Sequence, residues 1–222
     1  MARQSRKAAE STTWQIPICA RYKAGSEVKT ACTLMTEREA TLPLDAASCP
    51  AWVMPNAGGL GYYRWSLPRE ALKQLAEKGY PDLTAPERLS FAESLRSGAV
   101  NGRIPMSDAL DALAPFAADP SRAVASAPMS LLREGREWIH DDAKATRAFE
   151  AFASELYAPA WKELGWRAAK GAVEDGDRAL LRRDLISFLA WTARDPALRA
   201  LFSGAKRPAV RRPGQSGSSK PL

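Results

Sequence analysis

The chain has 222 residues, 45% hydrophobic and 26% charged, an ordinary globular composition with ample length for a real core. Its formal net charge of +7 sits at the ends: residues 1–10 carry three basic and one acidic residue, and residues 196–222 carry six basic and no acidic residue, so the middle nets −1. A phosphate backbone needs a basic face on the folded body, which excludes nucleic acid as an expected partner, and no apolar run approaches the ~20 residues of a membrane span.

Residues 1–12 are charged without an apolar core behind them and read as a disordered start, not a secretory signal, so the chain as it stands reads as cytoplasmic. Trp14, Ile16, Ile18, Ala20 and Tyr22 then alternate with polar neighbours, the period of a strand. Gly25-Ser26 suits a two-residue type II′ turn, with the glycine in first place, and a returning strand runs from Val28 to Met35. In that register residue numbers that sum to 51 face each other. Cys19 therefore lies opposite Cys32 at a non-hydrogen-bonded position, with Cα atoms ~4.5 Å apart. That spacing admits a disulfide, and it equally admits two reduced cysteines acting as small apolar fillers. Further short strands are expected at 39–44, with Pro43 pushing it to an edge, and at 51–54 and 61–67, joined by the turn chemistry of Asn56-Ala-Gly-Gly-Leu-Gly61. Together these predict a small β-sandwich over 13–67.

After Leu67 the period changes to that of helices. Pro68 opens the first, which Gly79 ends. Thr84-Ala-Pro-Glu87 is a capping box that starts the second. A third is expected from Ser107 to Asp119, a fourth from Ser121 to Ile139, and a fifth behind Asp141 and Asp142 that Pro159 kinks or ends. A sixth spans 177–194, and Asp195-Pro196 begins a seventh. The whole is an α+β chain: a sandwich, then an array of antiparallel helix pairs over 68–203 of solenoid type, and a basic Pro/Ser/Gly tail over 204–222 that cannot bury a core.

Several segments carry a resemblance. Trp14-Gln-Ile-Pro-Ile-Cys19, the Trp52…Asn56…Gly61-Tyr62-Tyr63-Arg64 run, Leu83-Thr-Ala-Pro-Glu-Arg88 with Gly102, and Leu181-Arg-Arg183 with Asp195 occur in the order of the last two domains of the M1 (gluzincin) zinc metalloaminopeptidases. The likeness covers residues 13 to about 200. It implies a sandwich that props the catalytic domain against a helical domain, which closes over a peptide cavity. It also implies partners: an M1 catalytic domain, or a peptide whose C-terminus meets basic residues such as Arg178, Arg182 and Arg183. Trp52, Asn56, Gly61, Tyr62, Tyr63 and Arg64 then have structural and interdomain roles. The residues support that reading: Asn56 suits a turn cap, Gly61 supplies turn freedom, Arg64 suits a carboxylate bridge to a neighbouring domain, and one of the two tyrosines faces a core while the other faces an interface. In that family the helical array continues further, so this one is expected to be truncated.

The chemistry of the family is missing. A zinc aminopeptidase of this type needs His-Glu-x-x-His on a helix, two imidazoles one turn apart with a carboxylate to activate water. This chain has a single histidine, His140, at a helix start beside two aspartates, and reads there as a surface residue. No catalytic residue and no cofactor of its own are expected; zinc belongs to the parent enzyme's catalytic domain. The alternative is a free-standing helical-repeat module that binds peptides or a protein. Surfaces separate the two: a part of a larger enzyme exposes large apolar patches, while a self-sufficient module has polar ends.

Overall fold

A computed structural model describes residues 13–168 and 173–204. The expected disordered start (1–12) and all but Gly204 of the expected tail lie outside the described residues. Strands β1 (Ile16–Ala24) and β2 (Glu27–Met35) form the hairpin, and β3 (Val53–Met54) pairs with the other edge of β1, giving the antiparallel order β2-β1-β3. Gly25 has φ +59, the positive value that the first turn position requires, and the register sets Cys19 opposite Cys32. The two cysteines are bonded, with Cα atoms 4.1 Å apart, and Cys49 is free and exposed.

The sandwich is one sheet among the described residues, not two. Residues 39–44 form no ladder: Pro43 lacks an N–H, and the segment is held at its end instead, where Asp45 N–H donates to the Tyr22 hydroxyl (3.0 Å) and Lys29 Nζ donates to the Asp45 carboxylate (2.8 Å). That pairing raises the Lys29 pKa and lowers that of Asp45. The expected strand at 61–67 is also absent. Its alternation is real, with Tyr62 and Arg64 outward and Tyr63 and Trp65 inward, but helix packing satisfies it: Trp65 stacks on Phe91 at 5.4 Å. Of 51–54 only the last two residues join the ladder, supported by Lys23 N–H to Trp52 O (3.1 Å) and Ala51 N–H to Lys23 O (2.9 Å).

Nine α-helical segments follow among the described residues: α1 (Arg69–Gln74), α2 (Ala85–Val100), α3 (Met106–Asp111), α4 (Ala114–Ala117), α5 (Arg122–Ser126), α6 (Pro128–Trp138), α7 (Ala143–Leu164), α8 (Gly176–Trp191) and α9 (Pro196–Gly204). The first expected helix reaches Gly79 through a π turn at Leu75–Gly79, and does not end there: a 3₁₀ turn follows at Tyr80–Asp82. Gly79 sits where a Cβ would lie 2.9 Å from the Trp52 ring, so only glycine lets the two approach. The third helix splits into α3 and α4. The fourth divides at Pro128, which has no N–H for the Val124 carbonyl; Ala127 N–H takes that carbonyl instead at 3.2 Å. Pro159, by contrast, does not end α7, which runs on to Leu164. It lies with Glu155 on the exposed face, where water can serve the carbonyl left without a partner. Asp142 caps α7 through Lys144 and Ala145 N–H, and Asp175 caps α8.

A single apolar cluster runs from Trp52 and Met54 through Leu72, Phe91, Phe116, Leu132 and Tyr157 to Leu185, Phe188 and Leu198. From before residue 67 it takes in Trp52, Met54 and Trp65, so the loop around β3 packs with the helices. Tyr157 is fully buried and donates to Ala125 O at 2.8 Å; burial pushes its hydroxyl far above the ordinary tyrosine pKa. No helix of the described residues is long and apolar enough to cross a membrane.

Candidate functional site

The Asn56–Arg64 run is the joint between sheet and helices, held by side-chain and backbone hydrogen bonds of Asn56, Gly58, Gly61 and Tyr63. Asn56 is buried. Its amide oxygen accepts from Gly61 N–H (2.8 Å), while Nδ2 donates to Gly61 O (3.0 Å) and to Ser90 Oγ on α2 (2.9 Å). The side chain therefore closes its own loop and fastens that loop to the helix. Gly58 (φ +66) and Gly59 (φ +67) make the turn, and a Cβ on Gly59 would lie 2.6 Å from the Pro86 carbonyl oxygen. The loop thus rests directly on the first turn of α2.

Glu87 is the centre of the joint. It is 0% exposed, and its carboxylate accepts from Gly58 N–H (2.8 Å), Thr84 N–H (2.9 Å), Thr84 Oγ (3.1 Å) and the Arg21 guanidinium. Arg21 Nη2 also donates to Asp82 O at 2.8 Å. One carboxylate so ties β1, the glycine loop and the cap of α2. A buried charge is tolerable only when paired and hydrogen-bonded, and Glu87 is both. The capping box was legible in sequence as a helix start; its second duty toward Arg21 and Gly58 was not, because a contact 66 residues apart leaves no local signal.

A second buried carboxylate repeats the device one layer on. Asp119 accepts from the Tyr80 hydroxyl (2.8 Å), Arg88 (2.8 Å) and Ser121 N–H (2.9 Å), while Arg88 lies 4.7 Å over the Tyr80 ring. Burial and the neighbouring Asp119 push the Tyr80 hydroxyl far above its usual range, so it remains a donor.

The other expected site residues separate into fixed and free. Trp52 is buried in the core. Tyr63 is half-buried and donates to Pro55 O at 2.7 Å. Leu60 and Tyr62 are 89% and 102% exposed, so a rigid loop holds two large apolar side chains in solvent. Arg64 reaches a half-exposed carboxylate across the joint, that of Glu93 on α2, at 3.8 Å.

Arg178, Arg182 and Arg183, expected to meet a peptide C-terminus, each have a carboxylate partner within this chain. Arg182 is buried; Nε donates to the carbonyls of Leu164 and Gly165, each at 3.1 Å, and Nη1 pairs with Glu174. It therefore closes the end of α7. That pairing lowers the Glu174 pKa and raises that of Arg182. Arg178 pairs with Glu163 (2.9 Å), and Arg183 sits exposed beside its neighbour Asp184 (3.3 Å). Arg178 also lines a groove of about 440 Å³, together with Asp119, Arg122, Glu163, Asp175 and Asp177.

Among the described residues there is no cluster of three or more His, Cys, Asp or Glu side chains placed to hold a metal ion. His140 is exposed, with Nδ1 2.7 Å from Glu137 O and Nε2 3.2 Å from Asp141.

The joint and the helices beyond it define a domain of known kind. The family model of the ERAP1-like C-terminal domain matches residues 52–208, and the chain belongs to that family, whose domain is found in M1 aminopeptidases. The match opens on Trp52, so the β1–β2 hairpin precedes it. No curated protein matches the chain.

Proposed function

We propose that this chain is the non-catalytic C-terminal part of an M1-type zinc metalloaminopeptidase, acting as a scaffold that docks a catalytic domain and shapes the cavity where peptides lie. In the parent enzyme the reaction is hydrolysis of the N-terminal peptide bond, with zinc and its ligands supplied by the catalytic domain. The observation that carries this reading is the Asn56–Glu87 joint. Asn56, Gly58 and Glu87, with Arg21, tie sheet and helices in one fixed relation, which is what a cavity wall requires.

Exposed apolar residues support it further. Leu60 and Tyr62 stand out from the rigid loop. At the other end Trp166, Trp191 and Phe202 form a partly exposed aromatic patch with centroids 5.5 Å (Trp166–Phe202) and 6.2 Å (Trp191–Phe202) apart. A self-sufficient binding module has polar ends, and these are not. The test is co-purification with a separately expressed M1 catalytic fragment. Stable association that Tyr62→Ala and Leu60→Ser weaken supports docking. A folded chain that ignores the fragment sinks it.

A further inference from the structure

The Cys19–Cys32 bond is placed to control the joint. Cys19, Arg21 and Lys23 alternate along β1 with the same parity and so share one face of the strand. Arg21 holds Glu87 and the Asp82 carbonyl, and Lys23 lies 3.7 Å from the Asp82 carboxylate. At Cys19 the strand backbone hydrogen-bonds the Tyr63 hydroxyl, which in turn donates to Pro55 O beside Asn56. The strand therefore reaches the signature loop by two routes, Cys19–Tyr63–Pro55 and Arg21–Glu87–Gly58. β2 steadies β1 through the ladder and through this one covalent link, and it is an edge strand with Cys32 exposed.

We propose that Cys19–Cys32 is a reducible clasp that sets how firmly the hairpin grips the helical domain. A dithiol reductant of the thioredoxin class has access from the β2 side. Its thiolate attacks the exposed Cys32 Sγ, forming a mixed disulfide and releasing Cys19 as the thiolate. The second thiol of the reductant then displaces Cys32, and the reductant leaves as a disulfide. Two electrons pass to the protein, and the two thiol protons end on Cys19 and Cys32. Afterwards β2 is held by its ladder alone, and β1 holds Arg21 and the Cys19 backbone less firmly against Glu87 and Tyr63. The clasp operates whether or not a catalytic domain is docked, so its failure and the failure of the scaffold reading are separate results.

The test is native-state hydrogen exchange on the full chain, oxidised and after dithiothreitol, with alkylation of the freed thiols read by mass spectrometry. The expected result is alkylation of Cys19 and Cys32 with helical circular dichroism unchanged. Exchange at Gly58 and Gly61, whose N–H groups are held by Glu87 and Asn56, rises about tenfold, while α6 and α7 stay unchanged. Cys49→Ser keeps the response. The Cys19→Ser, Cys32→Ser double variant shows the raised exchange from the start and no further response to dithiothreitol. The proposal is overturned by alkylation that requires denaturant, by exchange at the loop that does not change on reduction, or by two cysteines that oxidised glutathione does not close.

Discussion

Replacing Glu87 by alanine removes one fully buried carboxylate and strands four donors: Gly58 N–H, Thr84 N–H, Thr84 Oγ and the Arg21 guanidinium. Thr84 Oγ is a hydroxyl on an exposed residue and recovers its bond in water. Arg21, at 19% side-chain exposure, recovers part of its hydration. The two backbone N–H groups lie in the joint and recover least. Breaking a buried charge pair costs about 3–5 kcal/mol. The partial exposure of Arg21 argues for the lower end, about 3 kcal/mol. At about 2–4 °C per kcal/mol for a domain of this size, Tm falls by about 6–12 °C. Urea unfolding checks the free energy directly, and the cycle with Arg21→Ala isolates the pair, with an expected coupling of about 1–3 kcal/mol. An E87A chain that melts within about 2 °C of the parent, or a coupling near zero, refutes the view that this carboxylate holds the sheet to the helices.

Other outcomes follow from the same geometry. Gly59→Ala sets a Cβ against the Pro86 carbonyl at positive φ and costs about 2 kcal/mol or more, whereas Gly25→Ala, with open space around it, costs only the backbone term of about 1 kcal/mol; urea midpoints separate them. Arg182→Ala frees the end of α7 and destabilises by about 2 kcal/mol, while exposed Arg183→Ala stays within about 0.5 kcal/mol. Tyr80 and Tyr157 have folded-state pKa values above the ordinary 10.0, so the unfolded chain releases those protons first. Their contribution is complete below that value and is lost as pH rises above it. Alkaline titration by ultraviolet absorbance should show these two ionising only in the unfolding step; gradual ionisation of all five tyrosines in the folded state contradicts it.

Local signals were legible and distant ones were not. The alternation from Trp14 to Tyr22 and the Gly25-Ser26 turn set the hairpin register and so placed Cys19 opposite Cys32, while that spacing alone leaves the bond between them open. The Thr84…Glu87 box marked the start of α2, and Asp142 the start of α7. Asn56 was legible as a turn cap, because an asparagine before a glycine-rich loop has few other uses. The expected strand at 61–67 failed on a true observation. Tyr63 and Trp65 do point inward, but alternation only states which side chains are buried, and α2 buries them here instead of a second sheet. The helix over Ser107–Asp119 was read as unbroken because its apolar spacing continues across the break. The duty of Arg182 at the end of α7 was not legible, because only the fold brings the Leu164 and Gly165 carbonyls to it.

The most direct measurement of the scaffold reading is aminopeptidase activity of an M1 catalytic fragment titrated with this chain. Activity should rise and saturate at one chain per fragment, on peptides long enough to span the cavity more than on a single-residue chromogenic substrate. G59A and E87A should shift the half-point to higher concentration. Activity that is the same with and without the chain, at concentrations where the two proteins are mixed in excess, contradicts the account.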